Sequence, residues 1–202
     1  MQEIKNIIFD LGGVLVGLDG QRCIEAFETI GAHEISAYVR DHRTEDLFMD
    51  AEIGKINQQE FCREVRHITN CKAKDEDIVE AWCLLLGRTP SFKLQKIVDL
   101  RQEYRLFLLS NTNDMHWNFC EQQSFSHHGY SVKDCFEKVY LSYQMHLAKP
   151  SKEIFEAVLK DSHIEAEETL FIDDSSQNCK AAESLGLHTL LNTGLDDWVE
   201  AI

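Results

Sequence analysis

The segment NIIFDLGGVL, residues 6–15, decides how the rest of this 202-residue chain is interpreted. Its opening run, Asn6 to Phe9, is mostly apolar and has the length of a short buried strand. The run ends at an acidic residue, Asp10, and two glycines follow shortly after it. Ligands of open α/β sheets bind at the carboxyl ends of the strands, so Asp10 occupies a position where a functional carboxylate is expected.

Four further runs of the same kind follow along the chain. They share an apolar character and an average strand length, and they are Arg105–Leu109, Lys138–Ser142, Thr169–Ile172 and His188–Leu191. Helical patterns lie between most of them, which indicates βαβ units. The sequence therefore predicts an α/β fold built on a parallel sheet.

The spacing of the strands is uneven. About 95 residues of helical pattern separate the first strand from the second, whereas an ordinary crossover needs about a dozen. We interpret this stretch as an inserted all-helical subdomain at residues 17–88. The core domain then consists of residues 1–16 and 89–202.

Composition excludes several classes of function. Lys and Arg number 20 against 35 Asp and Glu, a formal charge of −15, which disfavours nucleic acid and anionic membranes as partners. The chain start has no signal-peptide pattern, and no apolar run approaches the roughly 20 residues of a membrane span. Seven dispersed cysteines without paired spacing are typical of reduced thiols. These features predict a soluble cytoplasmic protein.

Polar residues follow the first four strands at their carboxyl ends. They are Asp10, then Ser110-Asn111-Thr112, then Lys149-Pro150, and finally Asp173-Asp174. Clustered carboxylates need a cation, and hard oxygen ligands suit Mg²⁺. A lysine and a hydroxyl can bind a phosphoryl group, and a carboxylate can attack phosphorus to form an aspartyl-phosphate.

With their neighbours, these residues resemble the four ordered motifs of haloacid dehalogenase-like hydrolases. The matching segments are Asp10-Leu11-Gly12-Gly13-Val14-Leu15, Leu109-Ser110-Asn111-Thr112, Lys149-Pro150 and Ile172-Asp173-Asp174. They span nearly the whole chain in the expected order, with a helical cap between the first two. The resemblance implies a Rossmann-like sheet sandwiched by helices and a magnesium-dependent phosphatase.

The resemblance also implies roles for individual residues. Asp10 is the nucleophile and a metal ligand, and Ser110 binds a phosphoryl oxygen with Asn111 beside it. Lys149 holds both Asp10 and the phosphoryl group.

For the metal, the resemblance implies Mg²⁺ coordinated by Asp10, Asp174 and the backbone carbonyl of Gly12. Asp173 orients this coordination shell and pairs with Lys149.

One position departs from the family pattern. Most phosphatases of the family carry a second aspartate two residues after the nucleophile, which protonates the leaving oxygen and then activates water. Here that residue is Gly12, which keeps the carbonyl but cannot act as an acid or a base, a step that usually contributes about 10²- to 10⁴-fold.

Three explanations for the missing acid stay open. The substrate can carry a good leaving group, such as the anomeric hydroxyl of a sugar 1-phosphate; a branch of the family that shares this glycine includes sugar-phosphate phosphatases. A cap residue or water can replace the acid, with Asp19, His42 and Asp46 as candidates by position. The third explanation is a nearly inactive protein.

The leading hypothesis is hydrolysis of a small phosphate monoester of a metabolite, through an aspartyl-phosphate on Asp10, by a monomer or homodimer. One alternative is a metal-independent 2-haloacid dehalogenase, against which the acidic pair Asp173-Asp174 argues. Another is a catalytically weak binding or regulatory protein of the same fold. His116 and His146 lie near the motif loops, within reach of a substrate, but we expect surface or packing roles for them.

Overall fold

The computed structural model describes residues 3–41, 47–126, 129–194 and 196–202. One parallel sheet of five strands has the order β3-β2-β1-β4-β5. The strands are β1 (Asn6–Phe9), β2 (Arg105–Ser110), β3 (Lys138–Leu141), β4 (Thr169–Asp173) and β5 (His188–Leu191). The predicted strands are confirmed, with ends that differ by at most one residue.

Helices cover both faces of this sheet. Those that follow the inserted region are α6 (Ser91–Leu100), α7 (Asp114–Cys120), α8 (Val132–Cys135), α9 (Ser142–Met145), α10 (Lys152–Ser162), α11 (Ser176–Glu183) and α12 (Asp197–Ala201). Side chains alternate along β1, so that Ile7 and Phe9 pack with α6, α7 and α12, while Ile8 packs with α10 and α11. The predicted sandwich is therefore confirmed.

The register brings the strand ends to one edge. Phe9 of the central strand β1 pairs with Leu108 of β2 and with Ile172 of β4. The backbone N–H of Asp10 continues the ladder by donating to the carbonyl of Ile172 (2.9 Å). As a result, Asp10 lies between the ends of two neighbouring strands.

Five helices lie in the described part of the inserted region. They are α1 (Gly20–Thr29), α2 (His33–Arg40), α3 (Leu47–Glu52), α4 (Gln58–Thr69) and α5 (Asp75–Cys83). Their apolar faces meet in a separate cluster, within which Phe48 and Trp82 stack with ring centroids 4.6 Å apart. Met115 of α7 joins this cluster, so the helical cap rests directly on the core. The domain limits at residues 17 and 88 stay a prediction.

In the part of the chain that the structure describes, every helix is too short or too polar to cross a membrane.

Candidate active site

A buried ion-pair network lies at the carboxyl edge of the sheet. The Lys149 Nζ atom is 2.8 Å from Asp10 Oδ1 and 2.6 Å from Asp173 Oδ2. It also donates to the carbonyl oxygen of Leu109 at 3.0 Å. The three side chains are almost fully buried, with Asp10 the most exposed at 11%. Lys149 thus connects the ends of β1, β2 and β4.

Asp173 is held from several directions. Its Oδ1 accepts from the backbone N–H of Ser175 at 2.8 Å and from the amide of Asn178 at 2.9 Å. Its Oδ2 accepts from Lys149 and, at 3.1 Å, from Asn178 again. Because both oxygens are engaged, Asp173 is suited to positioning Lys149 rather than to direct coordination of a metal.

Asn111 positions the lysine from the backbone side. Its amide nitrogen donates to the Lys149 carbonyl, and its amide oxygen accepts from the Lys149 N–H, both at 2.9 Å. The predicted role of Asn111 in phosphate binding stays a prediction, since both ends of its amide are engaged. The neighbouring Ser110 hydroxyl has a contact of 3.4 Å with the Asn111 carbonyl, which is weak enough to leave it available to a ligand.

The charges of the network affect its protonation. Burial raises the pKa of Asp10 to about 7, with Asp173 adding to the rise and Lys149 opposing it. Burial lowers the pKa of Lys149, but the two carboxylates outweigh it and hold that pKa above its ordinary value. Burial, followed by the charge of Asp173, raises the pKa of Asp174. One ammonium group therefore faces three carboxyl groups, and the site is short of positive charge.

The cluster of carboxylates fits a nearby hard divalent cation, with Asp10 and Asp174 free to coordinate it and Asp173 engaged behind them. One carboxylate oxygen from each of Asp10, Asp173 and Asp174 lies within 4.8 Å of the other two. Gly13 has a φ of +70°, and a methyl group there would lie 2.1 Å from Asp174 Oδ2. Only glycine allows Asp174 to approach the loop after β1 this closely. Coordination by Asp10, Asp174 and the Gly12 carbonyl stays a prediction that this geometry supports.

The cavity above the network has a volume of about 270 Å³ and is roofed by the cap. Its core wall consists of Asp10, Leu11, Gly12, Ser110, Asn111, Thr112, His116, Lys149, Asp174 and Asn178, and its cap wall of Leu18, Glu52, Trp82, Leu85 and Leu86. Lys149 is the one lysine or arginine among these described lining residues. An anionic group bound here therefore meets a single fixed cation.

The three candidates for the missing acid are not found in the cavity lining of the described residues. Asp19 accepts from the backbone N–H of Arg22 (3.0 Å), which caps α1, and it is absent from the cavity lining. His42 and Asp46 fall outside the described residues.

The two histidines have packing contacts. His116 is buried, stacks on Trp82 with centroids 4.6 Å apart, and its Nε2 lies 3.1 Å from the Trp82 carbonyl oxygen. His146 donates from Nδ1 to the carbonyl oxygen of Ile53 at 2.9 Å. His116 also lines the cavity, as its sequence position near the motif loops allowed.

The sequence interpretation missed Asn178 and Glu52. Asn178 lies in the first turn of α11, five residues after Asp173, and this short spacing after an acidic strand end is a signal that could have identified it. Glu52 comes from the cap, about 40 residues from the first motif, and no local pattern marks it.

Comparisons with known proteins agree with this geometry. A family model described as haloacid dehalogenase-like hydrolase matches residues 4–186. D-ribitol-5-phosphate phosphatase of Bacteroides thetaiotaomicron is 34% identical over 195 residues, which cover 96% of this chain and 95% of that protein.

Solved structures agree as well. A HAD family enzyme of Bacteroides thetaiotaomicron, in complex with magnesium and inorganic phosphate, is 42% identical with a TM-score of 0.93, covering 98% of this chain and 99% of that one. A predicted HAD-like family hydrolase of Porphyromonas gingivalis is 35% identical with a TM-score of 0.90, covering 99% and 96%. The chain therefore belongs to the haloacid dehalogenase-like hydrolases.

Proposed function

We propose that this protein is a magnesium-dependent phosphatase that hydrolyses a small phosphate monoester through an aspartyl-phosphate on Asp10. The observation that carries the proposal is the contact of the Lys149 Nζ atom with both Asp10 and Asp173 beneath a cavity that the cap partly covers. This lysine fixes the carboxylate that attacks and supplies positive charge where a phosphoryl group would bind.

Asp10 and Asp174 would hold the Mg²⁺, together with the Gly12 carbonyl. When bound, the cation neutralises phosphoryl oxygens and offsets the excess of carboxylates. The nearness of three carboxylate oxygens and the close approach of Asp174 to Gly13 support this arrangement. Two solved structures of one relative, the HAD family enzyme of Bacteroides thetaiotaomicron, are magnesium complexes.

The chain's own residues divide the reaction into two displacements. The Asp10 carboxylate attacks phosphorus and the bond to the ester oxygen breaks; that oxygen takes up a proton and leaves as an alcohol, and the water of the second step gives a proton back. Water then attacks the same phosphorus, the bond to Asp10 breaks, and inorganic phosphate is released. Lys149 keeps Asp10 oriented through both steps, and the Ser110 hydroxyl donates to a phosphoryl oxygen. The cap keeps bulk water out of the cavity during the first step.

The similarity of this chain to a known phosphatase and the volume of the cavity support one class of substrate. A volume of about 270 Å³ suits a small metabolite. The relative named D-ribitol-5-phosphate phosphatase acts on a polyol phosphate. A polyol or sugar phosphate of about five carbons is therefore the class that we would screen first. A sugar 1-phosphate belongs to the same screen because its leaving group needs little protonation.

We also propose a cytoplasmic location and a monomer or homodimer as the working form. All seven cysteines are free and buried, which suits a reducing compartment.

The test is hydrolysis of p-nitrophenyl phosphate with Mg²⁺, with a chelator, and by the Asp10→Asn variant. We expect the chelator to abolish turnover and Asp10→Asn to lower kcat by at least about 10³-fold, since the nucleophile is lost. Asp19→Asn is the matched control, because it removes an equal charge, keeps the cap of α1 and lies outside the cavity. Full turnover without metal, or by Asp10→Asn, would overturn the proposal.

A further inference from the structure

The loop after β1 offers no proton to a leaving group. Gly12 stands where most phosphatases of the family carry an aspartate, and a methyl group added there would lie 3.5 Å from the Leu18 side chain. The space beside Gly12 is therefore bordered by an apolar cap residue. If the protein cleaves esters of ordinary alcohols, the proton must come from another wall of the cavity.

Glu52 is the carboxyl group that the cap contributes to the cavity lining. It is the last residue of α3, and it lines the same cavity as Asp10, Ser110 and Lys149. Asp10 and Asp174, the other two carboxyl groups of that lining, belong to the nucleophile and the metal site. Among the described lining residues, Glu52 is thus the carboxyl group that has no other function.

Three contacts fix the backbone at Glu52 against the core. The Ser142 hydroxyl donates to the Glu52 carbonyl oxygen at 2.6 Å, and His146 donates to the next carbonyl, that of Ile53. At Gly54 (φ +69°) a methyl group would lie 2.1 Å from the Tyr143 carbonyl oxygen, so the two backbones touch. Glu52 therefore lines the cavity from a fixed backbone, and the contacts that fix it do not use the carboxyl group.

The Glu52 carboxyl group is free to exchange a proton. Within the described part of the chain it has no hydrogen bond and no ion pair, and the charge of Lys149 acts on it without direct contact. Burial raises the pKa of this carboxyl to about 7, with Lys149 opposing the rise. Both protonation states are therefore accessible near neutral pH, as a group that acts first as acid and then as base requires.

The other titratable groups facing the cavity are less suited to this role. Burial lowers the pKa of His116 to about 4, so its imidazole is neutral, and its Nε2–H points to the Trp82 carbonyl. Lys149 is engaged with Asp10 and Asp173.

We propose that Glu52 is the general acid and base that replaces the missing aspartate. As Asp10 forms its bond to phosphorus and the ester bond breaks, the protonated Glu52 carboxyl gives its proton to the leaving oxygen. The Glu52 carboxylate then takes a proton from the water that attacks the aspartyl-phosphate. Phosphate leaves, Asp10 is restored, and Glu52 is again protonated. The assignment rests on the proposed phosphatase function and extends it to substrates with poor leaving groups.

The experiment compares two substrates in wild type and Glu52→Gln. Glycerol phosphate has a poor leaving group, whereas the nitrophenolate of p-nitrophenyl phosphate leaves readily without a proton. We expect Glu52→Gln to lower kcat/KM about 10²- to 10⁴-fold for glycerol phosphate and less than about tenfold for p-nitrophenyl phosphate. Glu52→Asp retains an acid and should recover part of the loss.

Asp50→Asn is the matched control, because Asp50 lies on the same helix and pairs with Lys55 (2.9 Å) outside the cavity. It should leave both rates near those of wild type. Equal losses for the two substrates, or no loss for either, would overturn the assignment of Glu52 while leaving the phosphatase intact. Absence of turnover in the wild type with both substrates would instead overturn the proposed function, and the role of Glu52 with it.

Discussion

The two walls of the cavity are built in different ways. On the core wall, Asp10 and Lys149 are buried and lie 2.8 Å apart, and Asp173, beneath the cavity lining, holds Lys149 at 2.6 Å. On the cap wall, Leu18 is 53% exposed and the Glu52 carboxyl group has no hydrogen bond within the described part of the chain. The core wall is preorganised for one chemical group, the phosphoryl group, whereas the cap wall can adapt to the remainder of the substrate.

This difference predicts where substitutions have their effect. Changes in the core wall should affect every substrate, and changes to the buried ion pair of Asp10 and Lys149 should also affect the stability of the fold. Changes in the cap wall should distinguish one substrate from another.

The largest effect is expected for Lys149→Met. The substitution leaves Asp10 and Asp173 buried without their cation, which typically costs about 3–5 kcal/mol of unfolding free energy. Urea denaturation in the absence of Mg²⁺ measures this loss, and p-nitrophenyl phosphate turnover should disappear as well. Unchanged stability would mean that the network does not hold the strand ends together.

A smaller effect is expected for Gly13→Ala. The new methyl group would lie 2.1 Å from Asp174 Oδ2, so the carboxylate must move away. We expect Mg²⁺ affinity, measured by titration calorimetry, to fall by about 10- to 100-fold, as for other changes that displace a ligand. Gly12→Ala is the matched control, since its methyl group would meet Leu18 at an ordinary 3.5 Å and its effect should be much smaller. Equal effects of the two variants would contradict the placement of Asp174.

His116 of the core wall stacks on Trp82 of the cap wall, and we expect it to make the fold sensitive to acid. Burial lowers the pKa of His116 to about 4, below the value of about 6.5 in an unfolded chain. Below pH 6.5 the unfolded state binds more protons than the folded state. The contribution of neutral His116 to the free energy of unfolding is therefore fully present above pH 6.5 and is lost as the pH falls towards 4. The loss can reach about 3 kcal/mol.

Urea denaturation of wild type and His116→Phe at several pH values between 7 and 4.5 tests this. The variant keeps an aromatic ring next to Trp82 and should lose stability less steeply with acid. Parallel slopes would show that His116 does not cause the acid sensitivity.

The core wall was largely predictable from the sequence, and the cap wall was not. A parallel sheet places the residues after its strands at one edge, so Asp10, Ser110 and Asp173 could be grouped from strand spacing alone. The cap residues reach the cavity only through the packing of helices far apart in sequence. Asp19 was therefore named as a candidate acid although it caps α1, while Glu52 was missed. The placement of Glu52 depends on a contact with Ser142, about 90 residues further along the chain.

The central claim, covalent transfer of the phosphoryl group to Asp10, can be tested by trapping the intermediate. p-Nitrophenyl phosphate that carries radioactive phosphorus is mixed with the magnesium-loaded enzyme, and the reaction is quenched with acid within milliseconds. The labelled peptide is then mapped. We predict label on Asp10 in the wild type, more of it in Glu52→Gln because water activation is slowed, and none in Asp10→Asn. Turnover without labelled protein, or with label on another residue, would contradict the account.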